Sequence, residues 1–304
     1  MAAQWDAEVK VDEALVVQLL ASRFPEFAGR PCRRIGEGWD CSAWLVDDEW
    51  VFRIPRRQLG ADCLANEIRV LPSVADRLPS PVSTSVFVGQ PTDGYPWVFA
   101  ACRLILGESA CDADLTDQQT VLLAGQLGSF LRALHAFGAD EAATLGAMPD
   151  TYARLESSRR CSKAREAMTQ AAESGLLSTT DELCRVIEEI EDRQPRPRTH
   201  CLVHGDLCSR HVMTEPGRLT GVIDWGDIHV GDPAVDLAVG WSMFAADARS
   251  EFCAAYGPMD RNTRDLAVMR AIGHSLSCLL YAGDVNDRQL RLESQKALQR
   301  AICE

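Results

Sequence analysis

Apolar positions change their period several times along the chain. Between Asp12 and Phe24, Leu15, Val16, Leu19 and Leu20 recur at helical spacing and Asp12 stands where a cap is needed. That pattern predicts an amphipathic helix. The segments 42–46 and 49–54 are rich in Val, Trp, Phe and Ile and flank Asp47-Asp48, which predicts a β-hairpin. Helical spacing returns from about Ala61 to Leu71, with Leu64, Ile68 and Leu71 on one face and Pro72 as the stop. The segments 82–88 and 97–104 predict two further strands, with Asp93-Gly94 as a turn between them.

From Thr116 onward the pattern is mainly helical. Thr116 and Gln119 fit a capping box, and Leu123, Leu127, Phe130, Leu131 and Leu134 form the apolar stripe behind it. Helices are predicted around 151–173 and 180–192, and Gln194-Pro195-Arg196-Pro197 interrupts the pattern. Two short apolar runs follow, at 201–203 and 219–223, with Glu215-Pro216-Gly217 between them, and the chain from Ala234 onward is helical again. The order predicts an α+β chain: a small β-rich N-terminal lobe over residues 1–103, then a larger helical lobe over 104–304.

Composition narrows the partners. With 304 residues, 46% of them hydrophobic, the chain has ample material for a core. Against 44 Asp and Glu stand 31 Lys and Arg, a net charge of −13. Such a balance argues against a general nucleic-acid binder, which needs a basic stripe. It suits either a cationic small partner or a surface kept solvated by charge. No run approaches the 18 or so apolar residues of a membrane span, and the first residues lack a signal-peptide pattern, so a cytoplasmic protein is expected. The 12 cysteines include no CxxC pair, which fits single thiols in a reducing compartment and makes a structural zinc site unexpected.

The densest chemistry lies in Leu202-Val203-His204-Gly205-Asp206-Leu207-Cys208-Ser209-Arg210-His211 and in Val222-Ile223-Asp224-Trp225-Gly226. Phosphoryl transfer needs a carboxylate beside the attacking hydroxyl and ligands for the divalent ion on the nucleotide phosphates. Asp206 is followed by a possible ligand, His211, at the spacing that kinase catalytic loops use, and Asp224 follows before a glycine. On these motifs the chain resembles the aminoglycoside and macrolide phosphotransferases, which share the bilobal fold of protein kinases. The resemblance runs from about Ile35 to about Ala246 and includes Gly231-Asp232-Pro233-Ala234-Val235-Asp236-Leu237-Ala238.

The resemblance implies roles residue by residue. Asp206 corresponds to the catalytic base, and Asp224 with His211 to the Mg2+ ligands, His211 replacing the Asn of most kinases. Asp232 and Asp236 correspond to acids that brace the catalytic loop; His204 is expected to be structural and His135 a satisfied core histidine. On the nucleotide side, Gly36 and Gly38 stand in a turn before a strand, where backbone N–H groups can face phosphates. Val51 and Arg53 share one strand face. They occupy the place of the apolar contact beneath the base and of the family's phosphate-binding Lys. Glu67 is positioned to pair with Arg53. Ala100, Ala101 and Cys102 are expected at the inter-lobe hinge, with their backbone on the purine edge. The donor is ATP or GTP.

The expected acceptor is an antibiotic of aminoglycoside or macrolide type, cationic, bound near Asp227, Asp247, Glu251, Asp260, Asp265, Asp284 and Asp287. Those carboxylates equally suit a solvated acidic face. Trp241, Met243, Phe244, Phe252 and Tyr256 suit either core or pocket wall. Another small metabolite or a nucleoside antibiotic as acceptor stays open, as does a nucleotide-binding module without turnover. A monomer is expected. A protein kinase is disfavoured, because GDPAVDLA follows Asp224 too soon for a long activation loop.

Overall fold

The structure is a computed structural model that describes residues 7–38, 40–178 and 180–303, without the side chains of Ser157 and Ser158. Asp12 caps α1 (Glu13–Arg23), its side chain accepting from Leu15 N at 3.1 Å. Five strands then build one antiparallel sheet: β1 (Cys32–Glu37), β2 (Cys41–Val46), β3 (Trp50–Pro55), β4 (Phe87–Gly89) and β5 (Phe99–Arg103), in the order β1-β2-β3-β5-β4. The β2–β3 hairpin turns at Asp47 and Asp48, both with positive φ, a conformation that Asp tolerates better than most residues. Helix α2 (Gln58–Val70) crosses from β3 towards the second half of the molecule.

Two expectations change here. Gly36 lies inside β1 beside a register shift, not in a turn, leaving Gly38 at the β1–β2 connection with its N–H on the Cys41 carbonyl at 2.9 Å. Trp39 of that motif lies outside the described residues. The predicted strand over 82–88 shrinks to β4. Val82 instead bridges in parallel to Val222, so this stretch serves the helical half.

After β5 the chain enters β6 (Glu108–Ser109) and α3 (Asp117–His135), which starts with the predicted capping box. Helices α4 (Ala139–Thr144), α5 (Ser157–Glu173) and α6 (Asp181–Arg193) follow. Next come β7 (Cys201–Val203), β8 (Val212–Glu215), β9 (Arg218–Val222) and β10 (His229–Gly231). β10 pairs with β7, and β6, β8 and β9 form a small sheet. Helices α7 (Ala234–Leu237), α8 (Val239–Met243), α9 (Ala246–Tyr256), α10 (Arg261–Asp284) and α11 (Arg288–Ile302) complete the chain.

Apolar burial falls into two clusters. One joins α1 to the five-stranded sheet through Phe24, Phe27, Phe52 and Phe99; the other fills the helical half around Leu127, Phe130, Trp225 and Leu276. Val70, Leu71 and Val74, at the end of α2 and just beyond, belong to the second. Trp241, Met243, Phe244 and Phe252 are core rather than pocket wall. Helix α10 is long and apolar enough to cross a bilayer, but its apolar positions are buried in this second core.

Candidate active site

The site forms where β3 and α2 face the β7–β10 loops. Arg53 projects from β3 with Nη1 on Glu67 of α2 and Nη2 on Asp224 Oδ1 at 2.6 Å. Glu67 is fully buried. Burial lifts its carboxyl above the usual range while the Arg53 charge pulls it down, and Arg53 itself stays firmly protonated. Asp224 has φ of +65°, which costs a non-glycine residue on the order of 1–3 kcal/mol unless the surroundings impose it. The next residue, Trp225, is held fast: its fully buried indole donates to the Val222 carbonyl at 3.0 Å and packs against the His204 ring.

The loop from His204 to His211 is held from beneath. Asp236 of α7 accepts from the His204 N–H at 2.7 Å and the Gly205 N–H at 2.9 Å, and contacts His135 Nε2 at 3.2 Å. Burial works against the Asp236 charge, yet His135, His204 and these N–H groups hold its carboxyl below the usual range. Asp232 accepts from the backbone of Arg198, Thr199 and Ala234. Gly205 has φ of +91°, and a Cβ there would run into the Asp227 carbonyl and the His229 ring, so only glycine fits. His204, fully buried and neutral, donates Nε2–H to Ile223 O at 3.0 Å and accepts from Asp206 N at Nδ1. His135 is satisfied by Tyr256 and Asp236.

His211 donates Nδ1–H to the Asp206 carbonyl at 2.8 Å, which leaves Nε2 facing Asp224 Oδ2 at 3.4 Å. Burial works against a proton on this ring, yet Cys208, Asp224 and Asp206 raise its proton affinity well above the ordinary histidine value, so a divalent ion would gain the Nε2 lone pair by displacing a proton. Although the cleft's partial burial works to raise it, Arg53 and His211 hold Asp224 below the usual carboxylate range. The pair can therefore present an oxygen and a nitrogen to one cation. The Asp206 carboxylate points elsewhere, with Oδ1 3.2 Å from Arg270 Nη2 and 3.6 Å from His274 Nε2, both on α10. Burial, and behind it the Arg270 charge, push His274 down to about 4, so it is neutral at pH 7.

The structure thus brings Arg53, Glu67, Asp206, His211 and Asp224 together, with Gly38 near Arg56, which donates to its carbonyl at 2.9 Å. Ala100, Ala101 and Cys102 lie within the β3–β5 ladder and not at a hinge, while Val51 is on β3 as expected. Val51 pairs with Cys102 and Arg53 with Ala100 across the β3–β5 ladder. Leu104 N donates to Glu49 O at 2.8 Å, so the antiparallel alternation turns the backbone of Ala100 and Cys102 towards β3. Their main chain is spent in the sheet, and the link between the two halves is 104–107.

The expected acidic cleft also disperses. Asp260 and Asp287 cap α10 and α11, Asp265 is bound by Arg193, and Asp227 is bound by Arg154. Arg154, Arg270 and His274 were not legible from motifs. Arg270 meets Asp206 across 64 residues of chain, and the helical period of α10 reports its apolar face, not its polar contacts.

The matched family model, described as a phosphotransferase enzyme family, covers residues 31–272. Viomycin phosphotransferase of Streptomyces vinaceus is 28% identical over 231 residues, 73% of this chain and 77% of the relative. A GDP complex of aminoglycoside 2'-phosphotransferase-IIIa is similar with TM-score 0.75 and 25% identity, covering 96% of this chain and 99% of that one. The macrolide 2'-phosphotransferase of Brachybacterium faecium, at 24% identity and TM-score 0.62 over 93% of this chain and 97% of that one, shares the fold. With Asp206, His211 and Asp224 arranged on that fold and most of the chain matched, the chain belongs to the phosphotransferase enzyme family.

Proposed function

We propose that this chain transfers the γ-phosphoryl group of ATP or GTP to a hydroxyl of a small antibiotic, with Asp206 as base. The observation that carries the reading is the division of labour between the carboxylates. Asp224 and His211 face each other at 3.4 Å, while the Asp206 carboxylate stands apart on the side of α10. A metal pair and a separate base are what in-line transfer requires.

In this reading Mg2+ is held by Asp224 and His211 and offsets charge on the nucleotide phosphates. Arg53 orients Asp224 and faces the same phosphates, and the Gly38 turn covers them. The base rests against the 104–107 link, with Val51 and the side chains of Ala100 and Cys102 on the sheet above it. The acceptor oxygen attacks as its proton passes to Asp206, and the bond from phosphorus to the nucleotide's bridging oxygen breaks. Positioning and charge compensation supply most of the rate. The acceptors named for the relatives support an antibiotic of aminoglycoside or macrolide type, and the net charge of −13 favours capture of a cationic one. The reading takes the protein as a monomer, and the free thiols support a cytoplasmic setting.

The test is transfer from labelled ATP and GTP to a panel of hydroxylated antibiotics by the wild type and by Asp206→Asn. The variant is expected to lose about a hundredfold to ten-thousandfold in kcat, the range for removing a general base, with nucleotide affinity kept. Normal turnover by Asp206→Asn overturns the mechanism.

A further inference from the structure

The catalytic loop fixes the backbone of Asp206 on both sides and leaves its side chain free. Asp206 N donates to His204 Nδ1 at 3.3 Å, and its carbonyl accepts from His211 Nδ1 at 2.8 Å. Neither contact reaches the carboxylate, which is 37% exposed and has staggered rotamers open to it. What meets it comes from another element. Arg270 Nη2 lies 3.2 Å from Oδ1, and His274 Nε2 lies 3.6 Å from the same oxygen. Among the described residues no other side chain pairs with this carboxylate, and Oδ2 has no partner.

Arg270 is placed to hold the base. It stands on α10 among Met269, Ala271 and Ile272, all three buried in the helical core, so its stem starts from a rigid element. Its side chain is only 16% exposed, and Asp206 is the one carboxylate it pairs with among the described residues. A guanidinium keeps its charge throughout a reaction. His274, one turn further along, is neutral and adds no second charge. A partly exposed pair of this kind adds little to stability. Its effect is on geometry: with Oδ1 taken, Oδ2 is the oxygen left to receive a proton. A cation beside the base opposes its protonation, but loose phosphoryl transfer depends far more on alignment of the nucleophile than on the strength of the base.

We propose that Arg270 is the positioning residue of the base, holding Asp206 Oδ1 so that Oδ2 takes the acceptor's proton, with His274 beside the held oxygen. This rests on the kinase reading and gives α10 a part in turnover. The acceptor's O–H proton passes to Oδ2 as its oxygen bonds to phosphorus, and the bond from phosphorus to the nucleotide's bridging oxygen breaks. Arg270 acts through Asp206 and not on the acceptor, so its loss is felt in kcat and not in acceptor KM.

The experiment compares the wild type, Arg270→Met and Arg270→Lys in transfer to the panel antibiotic that the wild type phosphorylates fastest. Methionine keeps an apolar stem and removes the charge; lysine keeps the charge and disturbs the helix least. Arg270→Met is expected to lose about tenfold to a hundredfold in kcat, the scale of a misplaced reacting group, with acceptor KM and Mg·ADP affinity within about twofold of wild type. Arg270→Lys should lose less. Millimolar guanidinium should return part of the kcat of Arg270→Met and leave the wild type unchanged. Retained Mg·ADP binding shows that the variants are folded. An unchanged kcat in Arg270→Met, a raised acceptor KM in place of the fall in kcat, or no recovery from either lysine or guanidinium overturns the proposal. Absence of transfer by the wild type overturns the kinase reading and this proposal together, whereas wild-type transfer with kcat kept in Arg270→Met overturns this proposal alone.

Discussion

A guanidinium at position 53 can do what an ammonium cannot, since its two terminal nitrogens hold Glu67 and Asp224 at once, the latter at 2.6 Å. A lysine is a single point charge on a flexible stem and would have to choose. Arg53→Lys should therefore retain the buried contact to Glu67 and lose the orientation of Asp224, raising the nucleotide KM with a small change in Tm. Arg53→Ala should do more, because it leaves the buried Glu67 carboxylate without its partner, a loss worth about 3–5 kcal/mol. Melting curves and nucleotide KM for both variants check this, and an unchanged KM in each would show that Arg53 does not face the donor. Residues of this kind were legible: Asp206, His211 and Asp224 sit at fixed spacings in dense motifs, Arg53 and Glu67 followed from the resemblance, and the structure gathers them. Arg154, Arg270 and His274 were not, because a polar residue in a turn or on an unremarkable helix carries no local mark of what it will meet.

The catalytic loop is an element whose shape is fixed from outside itself. It has no regular structure between β7 and the short 3-10 turn at Ser209–His211, so its backbone donors need partners from elsewhere. Asp236 supplies two acceptors for them and is itself steadied by His135. Asp236→Ala should strand two buried N–H groups and lower stability by about 2–5 kcal/mol. Residual activity in the folded fraction should fall too, as Asp206 loses its placement. Asp236→Asn is the sharper probe, since it keeps one acceptor and tests whether charge matters. Denaturant unfolding gives the stability and single-turnover transfer the placement; wild-type stability in Asp236→Ala would refute the brace. The long elements were legible by period, α3 and α10 above all. The missed ones, β1, β6, β8, β10 and α4, are short or lie where glycine and polar residues blur the alternation, too little pattern for a hydrophobic period to register. The hinge was misplaced for a related reason. Chain order says which strand precedes the link but not where its ladder ends.

At the scale of the whole molecule, the two apolar cores meet across polar contacts: Arg53 with Asp224, Asn66 with the Ile228 carbonyl at 2.7 Å, and Arg69 with the Gly146 carbonyl at 3.1 Å. The β-rich and helical halves were readable from pattern alone. That the end of α2 packs into the helical core was not, because an amphipathic stripe does not name its partner. Titrating groups on the helical side tie stability to pH. Burial lowers His204, His229 and His274, the last to about 4, so all three stay neutral in the folded chain where the unfolded chain takes up protons. Their contribution is present above about pH 6.5, the ordinary histidine value, and is lost as pH falls below it. Asp236 and Asp150, held low, add the same sign at lower pH, their contribution present above about pH 4 and lost as pH falls through their folded values. His211, raised well above its ordinary value, works in the opposite sense, one histidine against three. Each lowered histidine contributes up to about 1.4 kcal/mol per pH unit, so Tm should drop by about 3 °C or more per unit between pH 6.5 and 5. Differential scanning calorimetry from pH 8 to pH 5 measures it. A flat profile would mean that these imidazoles become charged inside the fold, and the neutral, hydrogen-bonded His204 beneath the catalytic loop would have to be redrawn.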